Sequence, residues 1–70
     1  MTSMWAIQVT LDNGDTRLLG DSSRTAEEAA AHLMDFEAGS GAFSADWLHT
    51  QEGWVIPRSR ILDARIVRLP

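Results

Sequence analysis

Two histidines and the serines that follow residue 20 are the side chains considered first for acid–base or nucleophilic chemistry. A catalytic or metal site needs several such groups to converge, and the sequence places no partner beside His32 or His49. We expect His32 to be a solvated residue on the surface of a helix. The serines fall in predicted turns or loops, without the strand–turn–helix context of a nucleophile elbow. They are Ser22, Ser23, Ser40, Ser44 and Ser59.

Cysteine is absent from the sequence, and this limits the covalent cross-links and metal sites that the chain can form. No disulfide and no thiolate site can form, and two histidines alone do not make a structural zinc site. We therefore predict no catalytic residue, no metal ligand and no cofactor.

Aromatic and basic residues suggest a second kind of chemistry, the binding of single-stranded nucleic acid. Trp47 and Trp54 flank a predicted hairpin, and rings that stack on bases beside arginines that bind phosphates make such a surface. The arginines are Arg58, Arg60, Arg65 and Arg68. The alternative is that the tryptophans fill a core and the arginines form ion pairs with Asp35, Glu37 or Asp63.

Charge is unevenly distributed along a chain whose net charge is −4. Residues 1–52 hold nine acidic residues and two arginines, whereas residues 53–70 hold one aspartate and four arginines. The acidic part repels phosphates, so a nucleic acid would have to bind a local basic patch.

All six basic residues are arginine, a usage that resembles high-GC genomes such as those of actinobacteria and their phages.

A chain of 70 residues is long enough for one domain, which we place at 1–70. So short a chain buries only about 60% of its unfolded surface. Without a disulfide or a metal, self-association is the remaining route to a larger core. Residues 1–4 carry no basic segment of a signal peptide, and no apolar run reaches membrane length. We expect a soluble, cytoplasmic protein with no membrane partner.

Residues 4–20 predict a β-hairpin. Apolar residues alternate with polar or small ones from Trp5 to Leu11, which is the period of a half-buried strand. Asn13-Gly14 predicts a two-residue type I′ turn. That turn pairs Val9 with Leu18, so Leu18 joins the inner face and Leu19 lies on the outer face.

Residues 25–38 predict the helix around which the fold is organised. Thr25 and Glu28 form a capping box in which Glu28 bonds back to the amide of Thr25, and Gly39 can end the helix in the left-handed conformation. Asp35 and Glu37 lie in the last turn, where the helix dipole disfavours anions. We therefore predict that an arginine from residues 58–68 meets this end of the helix.

Residues 46–57 predict a second hairpin around Gly53, with two registers open. A loop of Gln51–Gly53 pairs Leu48 with Ile56, whereas a two-residue loop shifts every pair by one and swaps the faces. The shifted register puts Trp47 and Trp54 on one face.

Residues 60–69 predict the last strand. Leu62, Ala64 and Ile66 share one of its faces, and we expect this face to enter the core.

These elements give an α+β fold in the order β-β-α-β-β-β. We expect an antiparallel sheet, strongly twisted or closed into half a barrel, with the helix packed on one face. Outward apolar residues on a thin core predict a non-enzymatic protein-interaction module, either a homodimer or a binder of another protein. Single-stranded nucleic-acid binding is the alternative. The predicted surface comprises Leu19, Trp47, Trp54, Arg58, Arg60, Arg65 and Arg68.

Overall fold

Five strands and one α-helix follow one another along the chain in the predicted order. The structure is a computed structural model. It describes residues 3–70, without the side chains of Asp21 and Ala42. The elements are β1 (Met4–Leu11), β2 (Thr16–Ser23), α1 (Ala26–Ala38), β3 (Trp47–His49), β4 (Val55–Pro57) and β5 (Ile61–Leu69), with short 3₁₀ turns at Gly41–Phe43 and Arg58–Arg60. The α+β class and the β-β-α-β-β-β order are confirmed.

The strands form two antiparallel sheets. One has the order β2-β1-β5 and the other is the β3-β4 hairpin. A single bridge between Leu19 and Thr50 joins them, supported by the Gln51 amide, which donates to the carbonyl of Leu18 at 2.9 Å. Within the described residues β5 and β4 remain edges, so the sheet does not close into a barrel.

Both hairpins turn through the same three-residue loop. In the first, the Leu11 amide donates to Asp15 and the Gly14 amide donates to Leu11, at 2.8 and 2.9 Å. In the second, Thr50, Gly53 and Trp54 repeat this pattern at 2.8 and 3.1 Å. This is a type I turn closed by a left-handed glycine. Of the two registers predicted for the second hairpin, the structure therefore has the one with the three-residue loop, which pairs Leu48 with Ile56.

The predicted register of the first hairpin is wrong by one residue. A type I′ turn needs positive φ at both central residues, and among the described residues only glycines have it. The longer loop pairs Ile7 with Leu19 and Gln8 with Leu18. Leu19 therefore lies in the core, 2% exposed, and its predicted place on the outer face is wrong.

The core lies between the three-stranded sheet, α1 and the second hairpin. Ala29 and Phe36 are the fully buried residues of α1, and Leu33 packs beside them. Against them lie buried side chains of four strands: Ile7, Val9, Leu11, Leu19, Leu48 and Ile56.

The helix begins and ends close to the predicted residues. The Thr25 hydroxyl accepts from the amide of Glu28 at 3.1 Å, as predicted. The Glu28 carboxylate, however, accepts from the amide of Arg24 rather than that of Thr25. Gly39 ends the helix in the left-handed conformation, with φ 65° and ψ 36°.

A β-bulge corrects the predicted inward face of β5. Val9 pairs with Ala64, but Leu11 pairs with Ile61 because the register shifts by one residue before it. Ile61 takes the inward position at this end, and Leu62 is displaced and 69% exposed. The predicted core position of Leu62 is therefore wrong, whereas Ala64 packs against the core as expected.

The turn geometry predicts a defined cost for Gly53→Ala. Gly53 has φ 95°, and an added Cβ would meet nothing within 4 Å, so the penalty comes from the backbone alone. We expect the free energy of unfolding to fall by about 1–2 kcal/mol, measured by urea denaturation at one fixed protein concentration. Glu52→Ala, in the same exposed loop, is the control. An equal change in both variants would contradict the assigned turn.

Candidate functional site

The predicted surface aromatic residues are exposed but lie apart. Trp47 is 58% exposed and pairs with Pro57 at one end of the second hairpin. Trp54 is 66% exposed and follows the loop at the other end. Leu19, the third apolar residue predicted for this surface, lies in the core. The two tryptophans therefore do not form one stacking platform.

Arg58, predicted to belong to an interaction surface, instead binds backbone carbonyls within the chain. Its guanidinium donates to the carbonyl of Phe36 in the last turn of α1 at 3.0 Å, and to the carbonyls of Phe43 and Ala45. It also lies over the Phe36 ring, 5.0 Å from the centroid. An arginine does meet the helix end, as predicted. It does so through backbone carbonyls, and no ion pair with Asp35 or Glu37 is found among the described residues.

The other three arginines are bound at separate places. Arg60 forms an ion pair with Asp12 beside the first turn, with 3.1 Å between Nε and Oδ1. Arg65 donates twice to the amide oxygen of Gln8, at 3.1 and 3.0 Å, and Arg68 donates twice to the hydroxyl of Ser3. Each arginine has its own partner in the chain, and no observation gathers the four into one phosphate-binding patch.

The free edge of β5 is the longest unpaired strand edge in the described structure. Only the β1 side of β5 is paired. The Ala64 amide donates to the Asp63 carboxylate at 2.9 Å and not to β1, so Ala64 faces the free edge. Because alternate residues of an antiparallel strand point their amides to opposite edges, Ile66 and Arg68 present theirs on the same side.

The outer face of the three-stranded sheet is the one turned away from α1. Met4, Ala6, Val67 and Leu69 form its apolar end, where Met4 pairs with Leu69 and Ala6 with Val67. All of these side chains are partly or fully buried by their neighbours.

A cavity of about 320 Å³ lies where α1 meets the two sheets. Apolar side chains make up most of its lining. Its apolar wall includes Ile7, Leu19, Ala29, Phe43, Trp47 and Leu48. Its polar wall is formed by Ser23, His32 and His49.

The polar wall contains a hydrogen-bonded serine–histidine pair. Ser23 is 4% exposed, and its Oγ lies 3.2 Å from Nδ1 of His32, in the middle of α1. Phe43 packs edge-on to the imidazole, with 6.4 Å between ring centroids. His32 is exposed on the surface of α1, as predicted, and these two contacts orient its ring.

The sequence did not indicate this cavity, and Ser23 shows why. The sequence predicts a loop at Ser23, but β2 continues to Ser23 through an irregular stretch in which Trp5 pairs with Ser23 and Ile7 with Leu19. Gly20, with φ 53°, makes that detour possible. A glycine inside a strand is the one signal that could have suggested a bulge here.

Two kinds of feature are absent from the described residues. No group of three or more histidine, cysteine, aspartate or glutamate side chains is placed to hold a metal ion. In the same part of the chain, no helix has the length and apolar character needed to span a membrane.

Comparisons with protein-family models, curated proteins and solved structures found no match to this chain.

The contacts of Arg58 predict a large loss of stability for Arg58→Met. The substitution keeps an apolar chain but leaves helix-end carbonyls without their donor, and hydrogen bonds to charged groups contribute about 1.5–3 kcal/mol. We expect the free energy of unfolding to fall by about 2–3 kcal/mol in urea denaturation.

Arg60→Met is the matched control for this measurement. Arg60 and Asp12 are 44% and 51% exposed, and exposed ion pairs contribute about 0–1 kcal/mol. A loss for Arg58→Met no larger than that for Arg60→Met would contradict the structural role of Arg58.

Proposed function

We propose that this chain is a small, non-enzymatic protein-interaction module that self-associates through the free edge of β5. The run Asp63-Ala64-Arg65 on that edge carries the proposal. A nine-residue edge strand with open amides and carbonyls is a template for pairing with another strand. The same strand of a second copy is the partner that its charges fit.

A two-fold axis at Ala64 makes the edge complementary to itself. Two β5 strands then run antiparallel with Ala64 opposite Ala64, and their outward-facing amides and carbonyls can bond to each other. In this register, Asp63 of each chain lies opposite Arg65 of the other. Opposite charges facing each other across strands contribute roughly 0.2–1 kcal/mol for each pair.

The neighbouring symmetric registers lack this match. An axis at Arg65 brings two arginines face to face, and like charges directly opposite are destabilising. An axis at Ile66 sets Asp63 opposite Leu69. The charges of β5 therefore favour one register over its neighbours, as cross-strand patterning does within sheets.

In the single chain, both charged residues are bound to neutral groups. Asp63 accepts from the Ala64 amide, and Arg65 donates to the Gln8 oxygen. On pairing, the Ala64 amide would donate to the second copy and release the carboxylate. Asp63 and Arg65 would then exchange neutral partners for partners of opposite charge, which adds a cross-strand ion pair.

Leu62 supports the same surface. It is displaced by the bulge and 69% exposed at the start of β5. In the register about Ala64 it lies next to Ile66 of the other chain, so pairing would remove apolar area from water. Full burial of a leucine side chain contributes about 1.5–3 kcal/mol.

A cytoplasmic location for this module is part of the proposal, and the lack of cysteine suits a reducing compartment.

Charge exchange across the interface tests the proposal. Asp63→Arg and Arg65→Asp each place like charges opposite each other in a homodimer, so each variant alone should be monomeric. An equimolar mixture restores both opposite-charge pairs and should form a heterodimer. Sedimentation equilibrium over a hundredfold range of concentration measures the association, with the unmodified chain as the dimeric reference.

Glu52→Arg and Arg24→Asp are matched charge reversals at exposed positions away from β5, and both should leave association unchanged. A monomeric unmodified chain at the highest concentration would contradict self-association. A dimer that persists in both β5 variants would instead place the interface elsewhere, with the outer sheet face as the remaining apolar candidate.

A further inference from the structure

The geometry points to a small-molecule binding site in the cavity between α1 and the two sheets. We propose that it binds an uncharged, flat, mainly apolar molecule that carries one hydrogen-bonding group, such as an amide or a hydroxyl. This inference is independent of the β5 interface. It rests on the size of the cavity, a lining without lysine, arginine, aspartate or glutamate, and the serine–histidine pair on one wall.

The volume sets the size of the ligand. Small-molecule pockets occupy about 300–1,000 Å³, and this cavity of about 320 Å³ lies at the small end. At the share of volume that water has in the liquid, about 30 Å³ per molecule, it holds on the order of ten non-hydrogen atoms. That is the size of one substituted aromatic ring.

The lining disfavours a permanently charged ligand. Apolar side chains predominate, and no lysine, arginine, aspartate or glutamate lies among the described residues that line the cavity. A carboxylate or an ammonium group would lose its water without gaining a permanent counter-charge, which is costly. An uncharged polar group avoids that cost.

The polar wall fixes where the hydrogen-bonding group of the ligand lies. The Ser23 hydroxyl has one donor and two acceptor positions, and its contact with His32 engages one of them. His49 lines the same cavity from β3. Both an amide and a hydroxyl combine donor and acceptor character, so either can pair with this wall.

Aromatic side chains favour a flat ligand. Phe43 is held edge-on between Phe36 and His32, at 5.9 and 6.4 Å between centroids. Trp47 lines the cavity yet is 58% exposed, so a bound ring would cover part of the indole. Offset-stacked and edge-on contacts between rings add to the free energy gained from burial.

Benzamide is the probe for this site, with benzoate and benzylamine as charged probes of nearly the same size. ¹⁵N-labelled protein is titrated with each, and amide shifts are followed by NMR. We expect benzamide to cause saturable shifts centred on Ser23, His32 and His49, with a dissociation constant in the ~mM range expected for so few atoms. Each charged probe should bind at least tenfold more weakly.

Ala45→Leu tests the location of the site. Ala45 is exposed and lines the cavity, so leucine there takes up space without being forced into the core. Benzamide affinity should fall at least tenfold. Ala31→Leu is the matched control, because Ala31 is exposed on α1 and does not line the cavity.

Three results would overturn the inference. The first is that benzamide gives no saturable shifts, which would mean that it does not bind. The second is that the shifts are unchanged in Ala45→Leu, which would place binding elsewhere. Benzoate or benzylamine could bind as well as benzamide, which would contradict the uncharged class of ligand. Because these readouts do not involve oligomeric state, they separate this inference from the β5 proposal.

Discussion

The guanidinium of Arg58 holds together parts of the chain that share no strand pairing. It bonds to the last turn of α1 and to the segment that follows, while its own backbone amide donates to the carbonyl of Asp46 at 2.8 Å. The last turn of α1 contains no basic residue of its own. A cation from the start of the last 3₁₀ turn therefore interacts favourably with the negative end of the helix dipole. This contact sets α1 against the second hairpin and the beginning of β5.

Hydrophobic periodicity in the sequence predicted the type and position of each element more reliably than the residue pairing between strands. Alternation and capping identified the strands and α1, because these signals are local. The first turn was different, since Leu18 and Leu19 are both apolar and either can face the core. Only packing against α1 and the second hairpin chooses Leu19, and the three-residue loop follows from that choice. The same ambiguity was visible beforehand at Gly53, where both loop lengths fitted the pattern.

The cavity was harder to predict than the fold because its wall comes from β1, β2, α1, the Gly41–Phe43 turn and β3. Ser23 and His32 meet only after β2 has made its irregular turn at Gly20 and α1 has packed on the sheet. Charge was more informative, since the acidic helix end correctly indicated an arginine nearby. It did not show that backbone carbonyls, with their partial negative charge, would compete successfully with the carboxylates of Asp35 and Glu37.

The position of β1 determines how the two proposed sites relate. β1 is paired on both sides, with β2 towards the cavity and β5 towards the free edge. Ile7 lines the cavity and is also the pairing partner of Ile66 in β5. A second copy on the far edge of β5 would thus be separated from the cavity by a whole strand. Among the described residues, none of β5 lines the cavity, so a single chain of this size can carry an assembly edge and a ligand site on separate elements.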